Sequence, residues 1–288
     1  MAQIIDGKKI AAKVRGEIAA ECAELAKQGV QPGLAVIIVG DDPASKVYVR
    51  NKKKACEEVG FHSEVYELPE ATTEDELLAL VKRLNNDDKI HGILVQLPLP
   101  RHLNDDIIIA NIDPKKDVDA FHPVNVGKIM IGDYDFLPCT PAGVMVMLKE
   151  CGIDPAGKEC VVVGRSNIVG KPQAMLLLHA NGTVTVCHSK TKNLADVTRR
   201  ADILVVAIGK ADFITGDMVK DGAVVVDVGM NRRADGKLTG DVDFASVEPK
   251  ASFITPVPGG VGPMTITMLL QNTLTSAKRV RPAAKVKN

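Results

Sequence analysis

Five stretches of this chain, 34–39, 92–97, 160–163, 203–207 and 224–228, are nearly unbroken runs of β-branched and aliphatic residues. A strand that is apolar on both faces must be covered on both, which is the situation of a parallel sheet packed between helices. The runs are also too short for buried helices and are bounded by turn residues. Between them the period changes. Ile10, Val14, Ile18, Cys22 and Leu25 recur at three- and four-residue spacing across 10–28, the stripe of an amphipathic helix. Residues 45–59, 73–85 and 143–151 read as further helices, and His62–Leu68, Thr183–Cys187 and 252–254 as further strands. Strand and helix alternate, so an α/β fold with mostly parallel, doubly wound sheets is expected.

The chain has 288 residues, enough for two domains of ordinary size. Residues 113–140 carry Pro114, Pro123 and Pro138 among aspartates and glycines without periodicity, and the domain boundary is expected in that connector. The 36 basic side chains balance 36 acidic ones, and the aromatics number 0 Trp, 3 Tyr and 6 Phe. Neither a positive field nor a stacking platform for nucleic acid is therefore available. The longest apolar run, 203–208, has six residues against the roughly 20 of a membrane helix. Asp6, Lys8 and Lys9 interrupt what an export signal would need. The six cysteines show no CxxC spacing and read as reduced thiols, so a cytoplasmic location is expected. No Cys/His cluster has zinc spacing, and no metal site is expected. Within the basic stretch 278–288, residues 281–288 read as a flexible tail.

Gly164-Arg165-Ser166-Asn167-Ile168-Val169-Gly170 follows the run 160–163 and opens a helix. Glycine at a strand end lets backbone approach a pyrophosphate, and the next helix offers free amides to its charge. The spacing departs from GxGxxG, and by itself it also suits a structural strand-to-helix turn. NAD-binding folds usually carry an acid at the end of the second strand. Here that end reads His188-Ser189-Lys190-Thr191-Lys192. Cations and hydroxyls in place of the acid favour a 2′-phosphate, hence NADP, although a solvated cationic turn would look the same.

Tyr48 and Lys52 lie four apart on one expected helix and share a face, with Ser45 a turn earlier. Lys52-Lys53-Lys54 also has the ordinary reading of a solvated face. Gln96 interrupts the run 92–97 near its carboxyl end, where parallel sheets bind ligands. A buried amide satisfied by backbone is the alternative. Asp117 and Asp119 sit in the connector, as solvated loop acids also do. The block Pro256-Val257-Pro258-Gly259-Gly260-Val261-Gly262-Pro263-Met264-Thr265 offers rigid, bare backbone for a flat ligand before a helix expected from Thr265.

Taken together, Tyr48-Val49 with Lys52 and Lys54, Val95-Gln96-Leu97-Pro98-Leu99-Pro100, Lys116-Asp117-Val118-Asp119, the 164–170 turn and the 256–265 block resemble the bifunctional methylenetetrahydrofolate dehydrogenase/cyclohydrolase family. The similarity runs from Ile4 to about Ala277 in one register. It implies a catalytic folate-binding domain at 1–120, completed by a helix at about 264–280, that faces a Rossmann-like NADP-binding domain at 140–260 across a cleft. It also implies a homodimer through the Rossmann domains. By the same resemblance, Tyr48, Lys52, Gln96 and Asp119 form the catalytic set: Tyr48 stacks along the folate aminobenzoate, Lys52 is the catalytic lysine, Gln96 its partner and Asp119 the pterin anchor. Leu97, Pro258, Gly259, Gly262 and Pro263 would line the folate site. Gly164, Arg165, Ser166, Ile168, Gly170, Ser189 and Met230 would hold NADP. Ala120 stands where the family frequently has glycine, a departure expected to matter little beside Asp119.

The implied chemistry is hydride transfer from methylenetetrahydrofolate to NADP, then hydrolysis of the methenyl cation to 10-formyltetrahydrofolate. Lys54, burial and the substrate cation would each favour a neutral Lys52 amine able to activate water. A monofunctional dehydrogenase of the same family, a shikimate-type NADP dehydrogenase and a silent nucleotide-binding module are the competing readings. The presence of both Lys52 and Gln96 argues against the first.

Overall fold

The computed structural model describes residues 1–279. The tail expected at 281–288 lies outside the described residues. In chain order the elements begin with β1 (Gln3–Ile4), α1 (Gly7–Lys27), β2 (Gly33–Val39), α2 (Pro43–Glu58), β3 (His62–Leu68), α3 (Glu74–Asn85) and β4 (Gly92–Val95). There follow α4 (Asp105–Ala110), α5 (Pro123–Ile131), α6 (Cys139–Glu150), β5 (Glu159–Val163), α7 (Gly170–His179), β6 (Thr183–Cys187), α8 (Leu194–Thr198) and β7 (Ile203–Val206). The chain ends with β8 (Val224–Asp227), the hairpin strands β9 (Asn231–Arg232) and β10 (Leu238–Thr239), α9 (Phe244–Val247), β11 (Phe253–Ile254) and α10 (Val261–Ala277).

The apolar runs became two parallel sheets, as their two-sided burial requires. One has the order β3-β2-β4, with Val36 opposite Val65 and Leu94. The other has the order β1-β11-β8-β7-β5-β6, with Val162 opposite Val186 and Val205. In the larger sheet the chain leaves β5 for β6 on one side and then crosses to β7 on the other. That reversal is the topological switch point of a doubly wound sheet, where ligands bind beyond the carboxyl ends. Each sheet has its own core: Ile37, Leu77, Val81 and Ile93 in the smaller, and Val161, Leu204, Val225 and Ile254 in the larger are all fully or almost fully buried.

Two compact units result. One comprises Met1–Ala12, Ile129–Gly132 and Pro138–Met268 and holds the six-stranded sheet; the other comprises Lys13–Lys128, Asp133–Leu137 and the chain from Leu269. The first twelve residues, expected with the smaller sheet, therefore belong with the larger one, because β1 pairs with β11. Helices α1 and α10 each pass from one unit into the other. Among the described residues no helix is long and apolar enough to cross a membrane.

Several helix starts differ from the sequence reading for one reason. α2 begins at Pro43, α6 begins at Cys139 with Pro141 in its first turn, and α10 begins at Val261 with Pro263 in its first turn. The first turn has no intrahelical partner for its amides, so proline is tolerated there although it reads as a breaker. The connector 113–140 also contains α5, which periodicity missed. Its Val124, Val126, Met130 and Ile131 are exposed, while Asn125 is buried. A polar anchor and one apolar side chain, rather than a full apolar stripe, seat this helix: Ile129, one turn on, is buried, and Asn125 Nδ2 donates to Asp117 Oδ2 (2.8 Å) and to the Pro114 carbonyl (2.9 Å).

The end of α10 supports the same segment. Asn272, buried, donates from Nδ2 to the carbonyls of Val118 and Leu137, both at 2.8 Å. Ser276 donates to the Lys115 carbonyl at 2.9 Å. Replacement Asn272→Ala removes both amide donors inside the unit, and each buried carbonyl stripped of a donor costs ~1–3 kcal/mol. We expect a loss of about 2–4 kcal/mol in unfolding free energy, measured as a fall in the urea midpoint at unchanged slope.

Candidate functional site

In the smaller unit, α2 starts with Asp42 accepting the Ser45 amide at 2.7 Å, which fixes the helix so that Ser45, Val49, Lys52 and Cys56 point inward. Of the three consecutive lysines only Lys52 is buried, at 9% exposure; Lys53 and Lys54 face solvent. The solvated-face reading is thus right for two of the three. Lys54, expected to act electrostatically on Lys52, is exposed, so whatever field it exerts there acts partly through water. Lys52 Nζ donates to Gln96 Oε1 at 3.0 Å, and Gln96 Nε2 donates to the Leu97 carbonyl at 2.8 Å. The second bond fixes which amide atom faces the lysine.

Gln96 lies one residue beyond β4, since the strand stops before Leu97 and Pro98 rather than at Leu97. Its amide still donates to the Ile37 carbonyl at 2.8 Å, so it keeps the sheet's register at the carboxyl edge. Tyr48, 37% exposed, sits one turn before Lys52, and burial of its ring raises the phenol above its ordinary value. Cys56, one turn after Lys52, is buried, and desolvation pushes its thiol up to about 12. It stays protonated and is no nucleophile.

Asp119 is half-buried and is positioned by its neighbour. Asp117, buried, accepts the His122 amide and the Asn125 side chain, both at 2.8 Å. A parallel bridge joins Asp117 to Ile93. Along the chain Asp119 lies two residues past that bridge, and Gln96 lies three residues past it, one beyond the end of β4. Ala120 is fully buried with φ of 58°, the left-handed region that favours glycine. The family's frequent glycine at this place thus has a backbone cause, and alanine accepts strain here of about 1 kcal/mol.

In the larger unit, Gly164 follows β5 at φ 135°, and a Cβ there would lie 2.2 Å from the Ala207 carbonyl oxygen. A Cβ on Gly170 would lie 2.3 Å from the Gly164 oxygen. The turn is thus bare backbone pressed against the end of β7, at the switch point. Ser166 Oγ accepts the amides of Val169 (3.1 Å) and Gly170 (3.3 Å), taking two donors that the sequence reading had offered to phosphate. Arg165, Ile168 and Ser189 are exposed. At the end of β6, Thr191 Oγ1 accepts the His188 amide at 2.9 Å, closing a tight turn without an acid. Bare turn, helix start, exposed Arg165 and missing acid together fit a dinucleotide carrying a 2′-phosphate.

The 256–263 segment belongs to this larger unit. Gly259 has φ 108°, and a Cβ on Gly7 would fall 1.8 Å from the Gly260 oxygen, so the start of α1 packs on this backbone. Pro258 is exposed and Pro263 half-buried. A Cβ on Gly262 would meet Met230 Cε at 3.1 Å, which brings together one residue expected at the folate and one expected at the cofactor. Among the described residues no group of three or more His, Cys, Asp and Glu side chains could hold a metal ion.

Sequence reasoning missed the polar residues that hold these groups: Asn125, Asn272, Asp227 and Asp241. Asp227 carried a signal, an acid interrupting the apolar run 224–228; the others had none.

Residues 5–119 match the catalytic domain of the tetrahydrofolate dehydrogenase/cyclohydrolase family, and residues 138–281 match its NAD(P)-binding domain. The Bifunctional protein FolD of Acetivibrio thermocellus is 63% identical over 277 residues, covering 96% of this chain and 97% of its own. Among solved structures, the bifunctional FolD methylenetetrahydrofolate dehydrogenase/cyclohydrolase of Campylobacter jejuni superimposes with a TM-score of 0.95 at 55% identity, covering 96% of this chain and 99% of that one. The Trypanosoma brucei FolD, complexed with NADP cofactor and an inhibitor, gives 0.93 at 42% identity over 96% and 98%. With residues 5–119 and 138–281 matched to its two domains, this chain belongs to the tetrahydrofolate dehydrogenase/cyclohydrolase family.

Proposed function

We infer that this chain is an NADP-dependent methylenetetrahydrofolate dehydrogenase and a methenyltetrahydrofolate cyclohydrolase, serving one-carbon metabolism. The observation that carries the second activity is the buried Lys52 bonded at 3.0 Å to Gln96. NADP, when bound, supplies the hydride acceptor for the methylene carbon. In this reading the larger unit holds the dinucleotide, with Arg165, Ser166 and Ser189 around the 2′-phosphate. The smaller unit carries the folate, with Tyr48 along its aminobenzoate ring and Asp119 on the pterin.

In hydrolysis, water adds to the methenyl carbon and gives its proton to the Lys52 amine. The bond from that carbon to N5 then breaks as the added hydroxyl releases its proton to solvent and becomes the formyl carbonyl, N5 takes the proton held by Lys52, and 10-formyltetrahydrofolate leaves. Proton uptake needs the neutral amine, and a cationic substrate disfavours a second positive charge beside it. Gln96 Oε1 holds the amine in one orientation while its own amide group is held by Leu97. Hydride transfer needs no such proton shuttle. The two activities should therefore respond differently to loss of the lysine.

A cytoplasmic location is supported by six cysteines with no disulfide among them. Homodimerisation through the larger unit is supported by its more than half-exposed Met130, Ile131 and Leu178 and by Val186 on the edge strand β6. Sedimentation equilibrium should give twice the chain mass, and Leu178→Asp should reduce it to the chain mass.

Lys52→Met is expected to cut cofactor-free hydrolysis of methenyltetrahydrofolate by at least about a hundredfold, the scale of one acid/base group. Gln96→Ala should reproduce part of that defect, and the exposed Lys53→Met should be nearly silent. Hydrolysis by Lys52→Met at the parent rate, after subtraction of the spontaneous reaction, would make the lysine structural. For the cofactor, Arg165→Ala should weaken NADP by roughly 1.5–3 kcal/mol, the scale of a hydrogen bond to a charged group, and leave NAD nearly unchanged. Equal losses for both dinucleotides in titration calorimetry would remove the 2′-phosphate assignment.

A further inference from the structure

The loop that leaves β7 runs through 208–210 beside the Gly164 turn, since Gly164 is pressed against Ala207. Three successive amides of this loop point to a single carboxylate. Asp241 is fully buried; its Oδ2 accepts the amides of Ile208 (2.6 Å) and Gly209 (3.0 Å), and its Oδ1 accepts the amide of Lys210 (2.8 Å). Oδ1 also accepts Asn231 Nδ2 at 2.9 Å, and Asn231 is the first residue of β9, at the end of the loop that leaves β8. One side chain thus ties together the loops that leave two neighbouring strands at their carboxyl ends.

Asp241 is itself held. Its amide donates to Asp227 Oδ1 at 2.9 Å, and its carbonyl accepts the amides of Phe213 and Ile214 at 2.8 and 3.0 Å. Gly229 leaves room for the carboxyl, because a Cβ there would lie 2.4 Å from Asp241 Oδ1. Successive backbone amides that converge form a nest for an anion. Here the protein fills the nest with its own carboxylate, so these amides set the loop's shape and are not available to a phosphate.

We propose that Asp241 is a positioning residue for the dinucleotide, holding 208–210 and Asn231 in the shape that receives it at the switch point. The proposal rests on the NADP reading above. It predicts a defect confined to the larger unit, because the carboxylate's bonded partners all lie there while Lys52 and Gln96 lie in the other.

The experiment compares Asp241→Asn with the parent by titration calorimetry with NADP and by hydrolysis of methenyltetrahydrofolate without cofactor. Asparagine keeps the shape but turns an NH₂ group toward backbone N–H donors. NADP affinity should fall at least fivefold while hydrolysis stays within twofold. Should this variant fail to fold, Asn231→Ala, which deletes one donor to the same carboxylate, carries the test with an expected threefold loss and the same unchanged hydrolysis. NADP affinity within twofold of the parent in the variant that folds overturns the proposal. So does a parallel fall of binding and hydrolysis, the mark of a general structural role. Failure of the underlying reading shows separately, as a parent protein that binds no NADP.

Discussion

A parallel strand covered on both faces can expose chemistry only at its ends, and this constraint organises the molecule. The middle of β2, β4, β5, β7 and β8 is buried aliphatic side chain. Gln96 therefore works one residue past β4, the glycine turn begins where β5 stops, and Asp227 is the last residue of β8. In both sheets the candidate groups gather at the carboxyl ends, where backbone leaves the ladder and helix starts return toward it.

Placing polar groups at such edges requires that their supports be buried and fully bonded. Each candidate group is backed by one such device. Gln96 is fixed by the Leu97 carbonyl and the register of β2, Asp119 by the Asp117–Asn125 pair and by Asn272, and the loop after β7 by Asp241. A carboxylate that accepts several backbone amides resists displacement, because leaving those amides unpaired costs more than any single bond is worth. The devices lie within their own units, which allows Lys52 and the glycine turn to be perturbed separately.

The site was legible in the sequence where one residue broke a local pattern. Gln96 in an aliphatic run, glycines between a strand and a helix, and a missing acid after β6 are such breaks. It was illegible where residues distant in sequence meet. Nothing in Lys52-Lys53-Lys54 says which lysine turns inward; that follows from α2 lying against its sheet and burying the Ser45, Val49, Lys52 and Cys56 face. Nor does the chain announce that Asn272 reaches Val118, 154 residues away.

The sequence alone determined the α/β class, most strand positions and the glycine turn, because strand burial and turn geometry are local properties of composition and period. It missed α5, which is seated by the bonds of Asn125 and by the single buried Ile129, and it missed β1, a two-residue strand. Tertiary structure decided that β1 joins the larger sheet, that Lys52 faces Gln96, and that Asp241 fills the nest after β7. Those are long-range pairings, and their energy depends on which buried donors and acceptors the fold brings face to face, a quantity that no local pattern encodes.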